Sequence, residues 1–394
     1  LKEYTLKRLP WGMLTGIRPS KIVHEMMDRH LSEQEILDTL TGYYDITPQK
    51  ANLLYNIAKV ERKVLDGLEK DTVSLYIGIP FCTTRCLYCS FTSNSIDKYS
   101  KSVPAYIKSL KKEMEEVSKI IGGTPYKIQS IYIGGGTPTS IDENSLKELL
   151  SHVEKYFDLR YLKEYTLEAG RPDSINEEKL NIIKASRVNR ISINPQTMNN
   201  DTLKLIGRNH SAEDIVEKFR LAKKLGFDNI NMDVIAGLPG ENIDDFKTTL
   251  EKIHDLMPES ITVHTMSIKR ASKLNESIDK YDLTQGSEVE KMVDFAADFT
   301  RNMNMHPYYL YRQKNMLGNL ENIGYCREGY ESIYNIQIMD EKQTIIALGA
   351  GGVTKVVYTA ENRIERAFNV KSVEEYISRI DEMIERKNAL LALI

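Results

Sequence analysis

The chain has 394 residues, of which 41% are hydrophobic, and a formal net charge of −3 at pH 7. That length predicts two or three domains, and the even spread of Lys and Arg gives no case for a nucleic-acid-binding protein. No apolar run approaches the roughly 18 residues that span a bilayer, no secretory signal opens the chain, and four cysteines argue against a disulfide scaffold. We therefore expect a cytoplasmic protein, with a monomer as the default. Since the chain starts at Leu1 rather than Met, we also expect a missing upstream segment.

Residues 1–70 predict a separate helical segment. Within 47–70, Thr47 suits the N-cap and Pro48 the first helical position. Apolar residues then recur at helical spacing on one predicted face: Leu53, Ile57, Val60, Val64 and Leu68.

The next part of the chain alternates strand and helix patterns. The predicted strands are 73–79, 130–134, 164–169, 190–197, 229–237 and 260–266. The predicted helices are 103–121, 143–157, 176–185, 201–206, 212–225 and 242–256. This alternation predicts a parallel sheet with right-handed crossovers. Residues able to do chemistry follow the strands, where parallel barrels build their active sites: Cys82, the glycines 134–136, Glu168, Gln196, Asp233 and His264.

After residue 275 the pattern changes. We predict a helix over 287–302, strands over 308–312, 334–339, 344–350 and 353–359, and a last helix over 372–387. The predicted domains are 1–70 (helical segment), 71–275 (barrel) and 276–394 (a smaller α+β domain that caps the barrel).

Three of the four cysteines, Cys82, Cys86 and Cys89, lie within eight residues at the spacing C-x3-C-x2-C. A structural zinc site needs four ligands, so here it would have to recruit the distant Cys326. Three thiolates on a short loop also suit a cluster of four irons, on which they leave one iron without a protein ligand. An open metal position is typical of a reactive site. We favour the cluster and interpret Cys326, in the turn-like NIGYCREGYE, as an incidental thiol.

With Tyr88 before its last cysteine, the motif resembles the signature of radical S-adenosylmethionine (SAM) enzymes. The resemblance implies a [4Fe-4S] cluster held by Cys82, Cys86 and Cys89, with SAM chelating the open iron. It also implies cleavage of SAM to a 5′-deoxyadenosyl radical that abstracts hydrogen from the substrate. The implied fold is α/β: a partial (β/α)6 TIM-like barrel with an N-terminal helical segment and a C-terminal α+β domain.

Six segments narrow the resemblance to the branch of the oxygen-independent coproporphyrinogen III dehydrogenases (oxidases) and haem chaperones. They are YIGIPFCTTRCLYCSF, IYIGGGTPT, TLEAGRPD, NPQTMNNDTLKLIGRNH, INMDVIAGLPGE and YNIQIMDEKQTIIALGAGG, between residue 73 and about residue 360. The SAM-binding residues implied by this branch are Tyr76, Tyr88, Gly135, Gly136, Thr137, Glu168, Gln196, Arg208, Asp233 and Ser267. The residues alone leave open a plain tight turn at the glycines and a buried salt bridge at Glu168 or Asp233.

LPWGMLTGIRPSKIV, VHTMSIKRASKL and YYLYRQKNMLGNLENIGY further resemble a HemZ-like subgroup. The Tyr-, Ser- and Pro-rich arm that positions substrate in the best characterised dehydrogenases is not visible here, which puts the substrate in doubt. The implied reaction is oxidative decarboxylation of two propionates of coproporphyrinogen III, which gives the two vinyls of protoporphyrinogen IX. A haem-binding chaperone and a radical SAM haem-degrading methyltransferase are the alternatives.

A tetraanionic tetrapyrrole substrate needs cationic partners. The candidates lie in the subgroup segments, with solvated surface charges as the alternative: Arg18, Lys21, Lys269, Arg270, Arg312 and Lys314. Tyr308, Tyr309 and Tyr311 either line the cavity or pack the core, and His210 and His264 are more often structural than functional. The resemblance also implies flavodoxin or ferredoxin as electron donor.

Overall fold

The computed structural model describes residues 9–69, 71–91, 93–358, 361 and 363–392. The strands, in chain order, are β1 Thr72–Ile79, β2 Phe81–Cys82, β3 Asn94–Ser95, β4 Lys127–Gly135, β5 Glu164–Gly170, β6 Arg190–Ile193, β7 Ile230–Ala236, β8 Ser260–Thr265, β9 His306–Tyr311, β10 Asn322–Cys326, β11 Thr344–Leu348, β12 Val353–Tyr358 and β13 Arg363–Phe368.

The α-helices alternate with these strands along much of the chain. They are Ser20–Asp28, Glu33–Asp38, Pro48–Asp66, Ile96–Tyr99, Val103–Gly122, Glu143–Tyr156, Glu177–Lys184, Asn200–Leu205, Ala212–Lys224, Ile243–His254, Lys273–Glu276, Gly286–Asn302, Ile333–Asp340, Val373–Ser378 and Ile380–Leu391. Over the described residues, no helix combines the length and apolar character that a membrane span requires.

The chain packs into two compact units. Of the described residues, unit A contains those within 1–68, 196–202 and 233–331, and unit B contains those within 69–195, 203–232 and 332–394. The division by chain order into 1–70, 71–275 and 276–394 stays a prediction.

Unit B is built on a sheet in the order β13-β12-β11-β1-β4-β5-β6, followed by the first residues of β7. Strands β1, β4, β5, β6 and β7 run parallel, and β11 also pairs in parallel with β1. Their apolar residues are buried, as expected for a parallel sheet with helices on its faces. The predicted alternation and parallel pairing of these strands are confirmed.

Two predictions for the C-terminal part of unit B are wrong. The segment 334–339 lies in the helix Ile333–Asp340, because the Ser332 side chain caps that helix by accepting from the Asn335 amide. The predicted helix over 372–387 is two helices, and the strand β13 was not predicted. Residue 359, the end of a predicted strand, lies outside the described residues.

In unit A, the helix Pro48–Asp66 begins after Thr47, as predicted. Its predicted apolar face is wrong except for Ile57, since Leu53, Val60, Val64 and Leu68 are only half-buried. The buried face instead includes Glu61, which His24 pairs with at 2.7 Å. With this buried pair, the side of the helix that faces the core differs from the side that carries the predicted apolar residues.

The sheet of unit A continues from the end of β7 through β8 and β10 to β9. Strand β10 runs antiparallel to both β8 and β9. Cys326 is the last residue of β10 and is fully buried, so the expectation of a turn at that cysteine is wrong.

Candidate cluster and SAM site

The cysteine loop follows β1 in unit B. Cys82 ends the two-residue strand β2, which pairs with β3, and the Cys89 amide donates to the Cys86 carbonyl at 3.2 Å. All three cysteines are free thiols. A strand and a tight turn therefore place three sulfur ligands on one short loop.

The segment that ends at Arg208 supports this loop. The Leu87 amide donates to the Ile206 carbonyl at 2.9 Å, and the Thr84 hydroxyl donates to the Gly207 carbonyl at 2.7 Å. The Arg208 guanidinium lies 3.5 Å from the Tyr88 hydroxyl inside the cysteine motif. The motifs CTTRCLYC and LIGRNH thus form one structural element of unit B.

Arg171 is a contact of the cysteine loop that the sequence analysis did not assign. Its Nη1 lies 3.5 Å from the Cys86 sulfur and 3.3 Å from the Thr84 carbonyl. The rest of the guanidinium donates to both Asp173 oxygens, at 2.9 and 2.8 Å, and Thr83 donates to the same carboxylate. The segment TLEAGRPD contains both Arg171 and Asp173. A role for Arg171 can be inferred only from the fold, however, because the fold brings residue 171 close to residue 86.

Burial is the main influence on the thiols. It raises the pKa of Cys82 to about 12, against the hydrogen bond that the Thr137 hydroxyl donates to this sulfur at 3.6 Å. Burial likewise raises the pKa of Cys89. The thiols of Cys82 and Cys89 are therefore protonated at neutral pH in the metal-free loop, and metal binding must displace those protons.

The glycine loop after β4 packs directly against the segment that leads into the cysteines. A β-carbon on Gly136 would come within 2.4 Å of the Phe81 carbonyl, and Gly135 has φ +106°. The amides of Gly136 and Thr137 donate to the carbonyls of Ile79 and Phe81 at 2.8 and 2.6 Å. These two amides already donate within the protein. The glycine loop therefore lets a ligand approach the backbone closely but does not offer it these two amide donors.

Glu168 on β5 lies beside a group of three tyrosines. It accepts a hydrogen bond from Tyr132, whose ring stacks on Tyr334 at a centroid distance of 4.6 Å. Tyr76 stacks on Tyr132 at 6.4 Å, and a β-carbon on Gly135 would lie 3.1 Å from the Tyr76 hydroxyl. Tyr132 and Tyr334 were missed, because one lies inside a strand pattern and the other was assigned to a strand.

Several buried polar atoms of the described part of unit B make no hydrogen bond with a described residue. Among them are Nε of Arg208 and the hydroxyl of Ser192, which stands in register with Glu168. Buried polar groups are normally paired, and an unpaired one costs about 1–3 kcal/mol. Such atoms suit a polar ligand that supplies the missing partner.

Gln196 and Asp233 lie together in unit A. The Gln196 amide donates to the Asp233 carbonyl at 2.9 Å, and the Gln196 carbonyl accepts from Ile235 at 3.0 Å. Gln196 has φ +67°, an unusual conformation for a buried, unbranched side chain. Strained backbone of this kind clusters at functional sites.

The two histidines have local partners. His264 has Nε2 3.6 Å from the Asp233 carboxylate and Nδ1 3.3 Å from the Tyr311 hydroxyl. His210 lies in unit B with Nδ1 3.8 Å from Asp173, and burial lowers its pKa. His264 therefore belongs to a polar cluster with a candidate SAM residue, whereas His210 belongs to the support of the cysteine loop.

The remaining candidates are in unit A and differ in their surroundings. The Ser267 hydroxyl donates to the Lys314 carbonyl at 3.0 Å. Arg312 is buried against the Trp11 ring, and its guanidinium donates to the carbonyls of Leu14 and Asn319. Its hydrogen bonds are thus used within the protein.

The other candidate cations are less enclosed. Arg270 and Lys314 have exposed side chains, and Arg18, Lys21 and Lys269 are half-buried. Their role as partners of a substrate carboxylate stays a prediction.

Comparison with known proteins agrees with this arrangement. The family model for the radical SAM superfamily matches residues 76–253. The chain is 42% identical over 390 residues to the oxygen-independent coproporphyrinogen-III oxidase-like protein HemZ of Bacillus subtilis, with 98% of this chain and 78% of that protein covered. The chain belongs to the HemZ-like family of radical SAM proteins.

Two further proteins are similar to this HemZ-like protein. It is 30% identical over 310 residues to the heme chaperone HemW of B. subtilis, covering 78% of this chain and 76% of HemW. The solved structure of coproporphyrinogen III oxidase HemN from Escherichia coli, a radical SAM enzyme, superposes with a TM-score of 0.61 at 19% identity. The superposition covers 83% of this chain and 73% of that chain. It supports the radical SAM α/β fold with a partial barrel, as predicted.

The radical SAM family implies SAM and a [4Fe-4S] cluster, and the residues of this HemZ-like protein fit both groups. Three free thiols on one loop supply a ligand set that leaves one iron open. The unpaired Nε of Arg208 and hydroxyl of Ser192 are polar atoms that a bound SAM could satisfy. The individual assignments remain predictions.

Proposed function

We propose that this HemZ-like protein catalyses the oxidative decarboxylation of two propionate side chains of coproporphyrinogen III, giving protoporphyrinogen IX. The observation that carries the proposal is the three-thiol loop, supported in unit B by Arg171 and the Arg208 segment. The identity to HemZ and the HemN-like fold support the tetrapyrrole as substrate class.

The chain's own residues would bind and orient the cofactors. Cys82, Cys86 and Cys89 would hold the cluster, and Arg208 would pair with the SAM carboxylate through its unpaired Nε. When bound, cluster and SAM supply a one-electron cleavage that permits hydrogen-atom abstraction from an unactivated carbon. The remaining proposed SAM contacts are Tyr76, Tyr88, Gly135, Gly136, Thr137, Glu168, Gln196, Asp233 and Ser267.

The proposed reaction balances for each propionate. The β-carbon loses one hydrogen atom, the adjacent carboxylate leaves as carbon dioxide, and one electron passes to a one-electron acceptor. The two carbons that remain become a vinyl group. Each decarboxylation consumes one SAM and one electron. We propose reduced flavodoxin or ferredoxin as the electron donor and the cytoplasm as the location of the reaction.

Unit A supplies candidate contacts for the substrate. Tyr309 and Tyr311 stack at 6.2 Å, and Tyr311 reaches His264, so an aromatic and polar surface lies beside Asp233. Arg270 and Lys314 are exposed, and we propose these two with Arg18, Lys21 and Lys269 as partners of the substrate carboxylates. Arg312 is better explained as a structural residue, because its guanidinium donates to backbone carbonyls.

The deciding experiment is a mass-spectrometric tetrapyrrole assay on anaerobically reconstituted, reduced protein with SAM and coproporphyrinogen III. Vinyl products formed together with 5′-deoxyadenosine are the expected result. Deoxyadenosine with unaltered porphyrinogen would contradict the substrate but keep the radical chemistry. Methylated linear tetrapyrrole formed from haem would identify a degrading methyltransferase instead.

A haem-binding chaperone is the second candidate, because the chain is 30% identical to the heme chaperone HemW. It predicts stable haem binding by the cluster-loaded protein and no turnover of coproporphyrinogen III. Measuring haem binding on the same preparation separates the two candidates.

A further inference from the structure

A cysteine, a histidine and a glutamate converge in unit A. His306 begins β9 and Cys326 ends β10, and the two residues stand opposite each other in the antiparallel pairing of these strands. The His306 Nε2 lies 3.9 Å from the Cys326 sulfur and 2.9 Å from a Glu331 oxygen. The three potential ligand atoms all lie within 4.8 Å of one another.

These separations are close to those of a tetrahedral zinc site. With zinc–sulfur bonds of about 2.3 Å and zinc–nitrogen and zinc–oxygen bonds of about 2.0 Å, tetrahedral angles separate sulfur from nitrogen by about 3.5 Å and nitrogen from oxygen by about 3.3 Å. The observed distances of 3.9 and 2.9 Å differ from those values by only a few tenths of an ångström. Small side-chain adjustments would bring all three donors onto one ion.

The fold positions Cys326 and Glu331 independently of any metal. Cys326 is fully buried in the sheet, and the next residue, Arg327, donates its amide to the Glu259 carbonyl at 3.0 Å. The Gly329 amide donates to one oxygen of Glu331 at 3.0 Å, and the other oxygen faces His306. The carboxylate is thus oriented by the turn that follows β10.

The cluster is also accessible to an ion. The His306 side chain is 32% exposed and the Glu331 side chain 13% exposed, although Cys326 is buried. One side therefore opens to solvent, where water can take a fourth coordination position. A plain His–Glu ion pair accounts for the 2.9 Å contact, and the Cys326 thiol lies beside the same ring nitrogen from the opposite register position.

We propose that His306, Cys326 and Glu331 bind one Zn²⁺ ion. Thiolate, imidazole and carboxylate are the three ligand types that zinc takes in proteins, and hard cations such as Mg²⁺ and Ca²⁺ prefer oxygen alone. The site shares no ligand with the cysteine loop 82–89. Its bound ion crosslinks β9, β10 and the following turn.

The test uses anaerobic protein that already carries its iron–sulfur cluster, with Zn²⁺ as the probe. Zinc affinity is measured by competition with a chromophoric chelator, stoichiometry by elemental analysis, and coordination by X-ray absorption. We expect one zinc per chain in addition to the iron, with one sulfur and two or three nitrogen or oxygen neighbours.

Ligand variants decide the assignment. Cys326→Ser and His306→Gln should each weaken zinc binding by at least about tenfold, since losing a ligand costs no less than losing a partner of a ligand. Glu328→Gln is the matched control, because this exposed carboxylate pairs with Lys63 and is not one of the three donors. It should leave the affinity unchanged.

Three outcomes would overturn the proposal. They are equal zinc affinity in wild type and both ligand variants, no zinc retained against the chelator, or coordination by three sulfurs, which would place the ion in the cysteine loop. His306→Gln keeps the test decisive if Cys326→Ser fails to fold, because the histidine is partly exposed.

Discussion

The candidate residues in unit B and in unit A differ in how much of their hydrogen bonding the protein itself uses. In unit B, Arg171 and the Arg208 segment hold the cysteine loop, and the buried polar atoms without a hydrogen bond include Nε of Arg208 and the hydroxyl of Ser192. In unit A, Ser267 donates to the backbone at 314 and Arg312 donates to backbone carbonyls. Unit B therefore resembles a prepared cofactor site, whereas several unit A candidates serve the fold.

The two units also treat a buried carboxylate differently. Although burial raises the pKa of Asp173, its hydrogen bonds, including those from Arg171, hold that pKa well below its usual value. Burial raises the pKa of Glu241 in unit A to about 7, against the hydrogen bond that Thr197 donates to it, and no cation among the described residues pairs with this carboxylate. The ionised form of Asp173 is thus stabilised next to the cysteine loop, whereas the ionised form of Glu241 is disfavoured beside the segment that begins with Gln196.

The largest expected effect is the loss of the cluster. Cys86→Ala removes one of three sulfur ligands, and we expect iron and sulfide to fall to background, because two thiolates cannot hold the cluster on this loop. Iron and sulfide analysis with the visible absorption spectrum measures the loss. Cys326→Ser is the control and should retain full iron; loss of iron from a Cys326→Ser protein whose circular dichroism shows it to be folded would refute the assignment of the cluster to residues 82–89.

The next effect concerns the pH dependence of stability at Glu241. With a folded-state pKa of about 7 against an ordinary value of 4.5, the folded protein keeps a proton that the unfolded chain releases. Stability should therefore fall as the pH rises from about 4.5 to about 7 and then level off, a loss of about 3 kcal/mol. Glu241→Gln should remove this part of the pH dependence.

Urea unfolding of wild type and variant at pH 5.5 and pH 8 measures the difference. Asp244→Asn is the control, because this carboxylate lies three residues after Glu241 and is 82% exposed. Parallel pH profiles for wild type and Glu241→Gln would contradict the prediction. They would mean that Glu241 is ionised in the folded protein.

Much of unit B could be predicted from the sequence because its signals are local. The cysteine spacing, the glycines after β4 and the alternating strands each lie within a few residues, and parallel pairing follows from the alternation. The same reasoning could not find Arg171, whose contact with Cys86 spans 85 positions of the chain. Sequence reasoning also predicted a strand over 334–339, which is wrong, because the alternating apolar residues there follow a residue that caps a helix.

Unit A was harder to predict because single residues there carry no pattern. Six cations were chosen from their segments, yet whether a guanidinium faces solvent or a backbone carbonyl depends on distant packing, as Arg312 against Trp11 demonstrates. Cys326 was expected in a turn because Gly and Glu follow it, but its partners β8 and β9 extend the sheet through it.

Arg208 tests whether an unpaired donor in unit B is kept for SAM. Arg208→Lys keeps the charge and removes Nε, and we expect SAM to bind about tenfold to a hundredfold more weakly, the value of a hydrogen bond to a charged group. Equilibrium dialysis of the cluster-loaded protein measures the affinity. The exposed Arg220→Gln on the helix Ala212–Lys224 is the control. Unchanged SAM affinity would contradict the assignment, and loss of iron would show that Arg208 only supports the loop.

The smallest effect concerns the reduction potential of the cluster. Arg171 brings a positive charge and a hydrogen bond to the Cys86 sulfur, both of which favour the electron-rich reduced state. Arg171→Lys keeps the charge near Asp173 but loses the fork that spans the sulfur and the carboxylate. We expect the midpoint potential to become more negative by about 30–60 mV, which corresponds to about 1 kcal/mol for one electron.

A redox titration followed by electron paramagnetic resonance measures the potential. Arg160→Gln is the control, because its guanidinium is 79% exposed and pairs with Asp158. An unchanged potential in Arg171→Lys, together with lower iron content, would mean that Arg171 only positions the loop through Asp173. A shift with full iron would mean that unit B adjusts the electron affinity of the cluster as well as holding it.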